Sequence, residues 1–280
     1  MISISEQTPL ILEGGGDRGV FTTGVLDCFL DHKLMFPYVI GVSAGGYNAV
    51  SYLSKQRGRQ KKISLELAFH YKTASLKKWV LTGNLLDDKL LFEDFTEQII
   101  PFDYQTFFDN PSVCELVTTN CLTGEASYFQ EKRNKKRFIE ITKATGRLPF
   151  ASPMVMIDDT PMLDGGISDS IPLQRAMHLG FTDHPVVVLT RNKGYRKPPN
   201  AYKLAKLFYH KYPKLTQALA NRYKMYNKQL ELVERLEEED KITVLRPQKK
   251  IHVERINNTA EALSTLYQEG YSLASTLLNT

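Results

Sequence analysis

The 280-residue sequence has only three cysteines, Cys28, Cys114 and Cys121, and no two of them form a Cys-x-x-Cys pair. The nearest two stand seven apart, outside the usual zinc spacings. Buried thiols in a reducing compartment are therefore expected, rather than a disulfide framework or a metal site. No predominantly apolar run of about 20 residues is present, as a transmembrane helix requires. One stretch, 34–54, lacks charge for 21 residues, but it holds Pro37, Gly41, Ser43, Gly45, Gly46 and Asn48. A buried strand, a turn and a helix start explain it better. Met1 to Leu12 has no positive opening and only a four-residue apolar run, so no secretory leader is expected there and a soluble cytoplasmic protein is. Internal repeats and low-complexity segments are absent. With 42% hydrophobic and 24% charged residues, the chain is neither disordered nor collagenous. It suits one large domain, or one domain with an appendage.

The first fifty residues alternate between two periods. Pro9-Leu-Ile-Leu-Glu13 is a short apolar strand, and a glycine loop follows it. Val20, Val25, Leu26, Phe29 and Leu30 then recur at helical spacing to about His32. Tyr38-Val-Ile-Gly-Val42 is a second strand, and residues 44–54 a second helix. This βαβα start implies a parallel sheet covered by helices. Residues 60–111 are mostly helical and loop-rich. Residues 113–120 and 126–130 alternate around Thr123-Gly124 as a hairpin, and 135–144 is a helix. Residues 154–157, a turn at 158–161 and Met162-Leu-Asp-Gly-Gly166 follow. A helix begins at Pro172 and a clear strand spans 185–189.

Gly41-Val-Ser43-Ala-Gly45 matches G-x-S-x-G between a β-branched strand and a helix. A serine on so sharp a turn is strained, and small neighbours let the helix pack against the strand. The turn presents Oγ at a helix N-terminus, where developing negative charge is favoured. Gly14, Gly16 and Gly19 also spell a dinucleotide fingerprint. That template needs an acid at the end of the second strand, and Ser43 follows there instead. No Gly-Lys-Ser or Gly-Lys-Thr completes a phosphate-binding loop. The remaining template is an oxyanion hole, in which successive glycines aim several backbone N–H groups at one point. Neighbouring parallel strands would set this loop beside Ser43. The serine needs a base. His32, His70, His178, His184, His210 and His252 have no motif around them. Asp164, delivered by a short strand into the Gly165-Gly166 turn, can serve as a carboxylate base or simply cap the turn.

In this order, Gly14-Gly-Gly-Asp-Arg-Gly19, Gly41-Val-Ser-Ala-Gly45 and Asp164-Gly-Gly166 resemble the three signatures of patatin-like phospholipases. Asp169 and Pro172 also look family-like, and the resemblance covers roughly residues 8–192. It implies a three-layer α/β/α sandwich around a mostly parallel sheet, with a catalytic core over 1–192 and a mainly helical extension over 193–280. It implies a lipid acyl hydrolase in which Ser43 is the nucleophile and Asp164 the base. The oxyanion hole then lies in residues 14–19, chiefly at Gly15 and Gly16. Arg18 stands where the family has a basic residue, which steadies the loop or meets a lipid phosphate. No metal or organic cofactor is required. Two other readings stand beside this one. A Ser-His-Asp α/β-hydrolase would also use Ser43, though only 42 residues precede it. A catalytically silent lipid- or membrane-binding module would keep the fold alone.

Residues 191–228 carry eleven Lys or Arg and no Asp or Glu, together with Tyr195, Tyr202, Tyr209, Tyr212, Tyr223, Tyr226 and Phe208. The next twelve residues hold six acids and one Arg, so a long helical segment with a basic and an acidic part is expected. The basic part reads as a solvated helix face with tyrosines turned inward, or as a patch for peripheral contact with an anionic membrane. Nucleic acid is not expected, since no binding motif accompanies the charge. The whole chain is only +5, so the rest of it is net acidic.

Overall fold

A computed structural model of the protein describes residues 4–199, 205–254 and 258–279. Tyr202 and Lys203 of the basic segment lie outside the described residues. One eight-stranded sheet holds β1 (Pro9–Leu12), β2 (Tyr38–Val42), β3 (Val113–Asn120), β4 (Ala126–Phe129), β5 (Val155–Ile157), β6 (Thr160–Asp164), β7 (Val186–Val188) and β8 (Thr243–Leu245). The order is β5-β6-β3-β2-β1-β7-β8, with β4 also paired to β3. The pairs from β3 through β2, β1 and β7 to β8 are parallel. The pairs β3–β4, β3–β6 and β5–β6 are antiparallel.

The helices are α1 (Val20–Asp31), α2 (Ala44–Leu53), the short α3 (Arg59–Lys62), α4 (Ala68–Tyr71), α5 (Leu76–Thr82) and α6 (Tyr104–Asp109), then α7 (Lys135–Thr145), α8 (Leu173–His178), α9 (Ala205–Phe208), α10 (Pro213–Glu238) and α11 (Ala260–Asn279). Ser75, Asp103 and Asn134 cap α5, α6 and α7 by accepting an amide hydrogen bond three residues on.

Alternate strand residues feed two cores. Leu10, Leu12, Val39 and Val188 pack with Phe21 and Phe29 of α1, Leu53 of α2, Phe138 of α7 and Leu266 of α11. Ile11, Ile40, Val42 and Val187 face Leu173 of α8 and Tyr226, Leu230 and Val233 of α10. Burial on both faces is why the central strands are runs of apolar residues rather than alternating ones. The sandwich therefore has helices on both faces, as expected, and a helical C-terminal region. The sequence gives no sign that this region takes part in every layer. In α10, Pro213 opens the first turn, and Leu215, Leu219, Tyr226, Leu230, Val233 and Leu236 share one buried stripe. β8 extends the sheet beyond β7.

α11 lies against α1 through two glycines. A Cβ on Gly24 would stand 2.1 Å from the Tyr267 carbonyl oxygen, and one on Gly270 2.2 Å from that of Phe21. Only two glycines let these backbones approach so closely. The Tyr267 hydroxyl then donates to Asp27 Oδ2 at 2.9 Å.

Candidate active site

β2 ends at Val42, and Ser43 turns the chain at φ 56°, ψ −123° before α2 begins. The left-handed φ is strained for a residue with a Cβ. The glycines of the motif are required by sterics. A Cβ at Gly41 would lie 2.5 Å from the Gly45 carbonyl oxygen, and one at Gly45 would lie 2.4 Å from that of Leu12. α2 thus starts directly on the carboxyl ends of β1 and β2. Thr145 at the end of α7 fastens the turn. Its Oγ1 accepts from the Ser43 amide at 3.0 Å and donates to the Val117 carbonyl at 2.6 Å.

The glycine loop follows β1. A Cβ on Gly14 would touch the Val42 carbonyl at 2.9 Å and the Ser43 Cβ at 3.0 Å, so the loop lies beside the serine. Gly16 has φ 58°, and Gly19 leaves no room for a Cβ against Ala44. Among the described residues, the N–H groups of Gly14, Gly15 and Gly16 donate to no protein atom. Asn48 ties α2 to the loop by donating to the Gly19 carbonyl at 3.0 Å. Glu13, at the loop's entrance, is buried. Its Oε1 accepts from the Tyr226 hydroxyl at 2.6 Å, and its Oε2 from the Thr190 amide and hydroxyl at 2.5 and 3.0 Å.

Asp164 ends β6, and the register of β3 explains how it reaches the serine. Leu116 and Val117 pair with both β2 and β4, and Thr118 and Thr119 pair with both β4 and β6. β4 therefore holds one edge of β3, while β2 and β6 share the other. Val42 stands opposite Val117, and Asp164 opposite Thr118. The two strands run toward each other along β3 and their carboxyl ends meet. Gly165 lets the turn pass, since a Cβ there would lie 2.3 Å from the Val117 carbonyl oxygen. Asp164 is 1% exposed. Its Oδ1 accepts from the Gly166 amide at 2.7 Å, and among the described residues its Oδ2 has no hydrogen-bond partner.

Ser43, Asp164, Gly14, Gly15, Arg18 and Gly166 line one cavity of about 130 Å³. Gly16, Gly19, Gly41, Gly45 and Gly165 do not line it; they shape the backbone behind it. No hydrogen bond joins Ser43 Oγ to Asp164, and none of the six histidines lines the cavity. Sequence reasoning missed Glu13, Thr145, Ser170, Arg222 and Tyr226. Glu13 had one signal, a charge closing an apolar strand. Arg222 and Tyr226 had none, because they reach the site from the far layer on α10. Burial and the Glu13 carboxylate push the Tyr226 hydroxyl well above the usual tyrosine range. Asp169 lies just past the turn and is buried, which pushes it up to about 6. It accepts from the Tyr128 hydroxyl at 2.8 Å and the Gln229 amide at 2.5 Å, which fixes α10 to the Asp-Gly-Gly turn.

A family model described as "Patatin-like phospholipase" matches residues 10–177, and one described as "Domain of unknown function (DUF6363)" matches residues 212–280. The chain is 29% identical over 194 residues to the uncharacterized protein YjjU of Escherichia coli (strain K12), a match covering 68% of this chain and 54% of that protein. The match thus spans about half the length of that relative. The fold is similar to the crystal structure of VipD from Legionella pneumophila, with a TM-score of 0.50 at 14% identity, over 98% of this chain and 67% of that one.

Proposed function

The chain belongs to the patatin-like phospholipase family, and from that premise we propose that it hydrolyses lipid carboxylic esters through a Ser43–Asp164 dyad. The observation that carries the proposal is the unpartnered Oδ2 of a buried Asp164 in the cavity that holds Ser43. A buried carboxylate oxygen without a donor is costly, and a serine hydroxyl supplies one. In the reaction, Ser43 Oγ attacks the ester carbonyl while Asp164 takes its proton. The N–H groups of Gly14 and Gly15, the two loop glycines that line the cavity, receive the oxyanion. Collapse expels the alcohol, which takes the proton from Asp164, and leaves acyl-Ser43. A water then gives a proton to Asp164 and attacks the acyl carbonyl. Release of the carboxylic acid returns the proton to Ser43. Apo geometry is often looser than the reacting geometry, so the missing Ser43–Asp164 bond is compatible with this role. The lack of any cavity-lining histidine favours the dyad over a Ser-His-Asp triad. A member that kept the fold alone would have no need of the strained serine.

Ser43→Ala should abolish hydrolysis of a lipid ester, and Asp164→Asn should lower kcat by about 10³-fold or more. Each His→Ala variant should stay near wild type. Full activity in Asp164→Asn, or collapse in one histidine variant, overturns the dyad.

Among the described residues no helix is long and apolar enough to cross a membrane. We propose peripheral contact with an anionic bilayer, through a patch narrower than the whole basic segment. Tyr209 and Tyr226 spend their hydroxyls on Phe150 and Glu13. Among the exposed apolar groups are Leu207 (71%) and Phe208 (59%) of α9, and Trp79, Val80 (75%) and Leu81 (73%) of α5. Phe150 joins the two helices. Its ring meets Phe208 at 5.6 Å, and its carbonyl accepts from Trp79 Nε1 at 2.8 Å. Exposed Lys77, Lys206, Lys211 and Lys214 flank them.

A further inference from the structure

Three consecutive glycines order themselves poorly, so a loop built on them is positioned by what surrounds it. The loop after β1 is held before its glycines and after them by residues of 212–280, the stretch described as a domain of unknown function. Ahead of the glycines, the Tyr226 hydroxyl of α10 donates to Glu13 Oε1 at 2.6 Å. Behind them, Asn258 Nδ2 donates to Asp17 Oδ2 at 2.8 Å. Thr190, just past β7, presses on the middle: a Cβ on Gly15 would stand 2.7 Å from its Oγ1. Thr190 in turn is bound to Glu13, donating to Oε2 through its amide and its hydroxyl.

Both holds are themselves fixed. Tyr226 is 3% exposed and Glu13 2%, so water does not compete for their hydrogen bond, and a hydroxyl–carboxylate bond is a strong one. α10 is also tied to the other half of the site. Arg222 Nε, one turn before Tyr226, donates to the Gly166 carbonyl at 2.5 Å. Gln229 Oε1, one turn after it, accepts from the Ser170 and Ile171 amides at 3.2 and 3.1 Å. Asn258 is braced by the Glu254 backbone, accepting from its amide at 2.7 Å and donating to its carbonyl at 3.1 Å. It stands just before α11, which lies against α1, the helix into which the glycine loop runs.

We propose that the C-terminal region sets the oxyanion hole: Tyr226 and Asn258 are positioning residues that hold the glycine loop with the Gly14 and Gly15 N–H groups aimed at the developing oxyanion. The proposal rests on the acyl-hydrolase reading and adds to it a task for the second matched region. Oxyanion stabilisation depends on donors that are aimed before the charge develops, and a displacement of about 1 Å can cost about 10²-fold in rate. Removing the Tyr226 hydroxyl would also bare a Glu13 oxygen one residue from Gly14. An unsatisfied carboxylate there opposes negative charge developing in the hole. Both residues act through the loop rather than on the reacting atoms.

Tyr226→Phe and Asn258→Ala should each lower kcat on p-nitrophenyl butyrate by about tenfold or more, with KM within about twofold of wild type. Tyr271→Phe is the control. Its hydroxyl also joins the C-terminal region to the core, donating to Asp31 Oδ2 at 2.9 Å, but at the far end of α1, and its kcat should stay at the wild-type level. Inhibitors separate positioning from mere structure. An alkyl trifluoromethyl ketone adds Ser43 Oγ to its carbonyl and places the resulting oxyanion in the hole, whereas the corresponding alcohol cannot. Affinity for the ketone should fall in both variants in step with kcat/KM, while affinity for the alcohol holds. Thermal melts report whether each variant folds, and if Tyr226→Phe does not, Asn258→Ala decides. Wild-type kcat in the folded variants overturns the proposal. So does an equal loss of affinity for ketone and alcohol, which marks a site loosened throughout. A second readout does not depend on turnover. Hydrogen exchange over residues 14–22 should quicken severalfold in both variants and not in Tyr271→Phe. If wild type cleaves no ester but exchange still responds, the hydrolase reading falls and the hold on the loop stands. Exchange unchanged in both variants removes that hold.

Discussion

The protonation of Asp169 couples stability to pH near neutrality. Burial raises its carboxyl from 3.8 to about 6. Below pH 3.8 the group is protonated whether the chain is folded or not, and its favourable contribution is fully present. As the pH rises through 6, the unfolded chain has already lost the proton and the folded one must bury a charge, so the contribution is lost. It amounts to about 1–2 kcal/mol between pH 5 and pH 8. Between pH 5 and pH 8 the denaturant midpoint of wild type should fall relative to that of Asp169→Asn, whose neutral amide does not titrate. A gap that does not change with pH refutes this. At the same scale, Ser43, the glycine loop and the Asp164 turn are legible in the sequence, because each is a local steric demand written in adjacent residues. Thr145 and Thr190 are not legible. Their hydroxyls reach Ser43 and Glu13 across 102 and 177 positions of chain, and only the folded register decides which threonine arrives.

Among the elements, the crossing of α1 and α11 depends most on a single residue type. Gly24 and Gly270 each face backbone of the opposite helix, which cannot rotate away as a side chain could. Gly24→Ala and Gly270→Ala should therefore each destabilise by about 1–3 kcal/mol despite alanine's better helix propensity. An unchanged melting temperature in either variant would show that the helices separate freely. The periodicity of the first helices and the apolar runs of the central strands announce those elements clearly. α10 is legible as a helix but not as the cover of a whole sheet face, since its buried stripe is diluted by Lys and Arg. β8 is three residues long, too short for any pattern, and takes its place only because β7 offers an open parallel edge.

At the scale of the whole molecule, the charge is divided by destination. Some of the cations of 191–228 turn inward to the cavity, while Lys206, Lys211 and Lys214 stay outside with Leu207 and Phe208. The outward group should bind vesicles containing anionic lipid better than neutral ones, and less well as salt rises. Replacing Leu207 and Phe208 by Ser should weaken that binding about tenfold or more, given about 1.5–3 kcal/mol for each large apolar side chain. Equal partition to neutral and anionic vesicles removes the idea.

The meeting of β2 and β6 along one edge of β3 has a mechanical meaning. Ser43 and Asp164 are both referenced to neighbouring residues of that strand, Val117 and Thr118. When the sheet flexes or twists, the strand carries both groups together, as two tools clamped to one rail. Their separation is then insulated from the slow breathing of the outer strands.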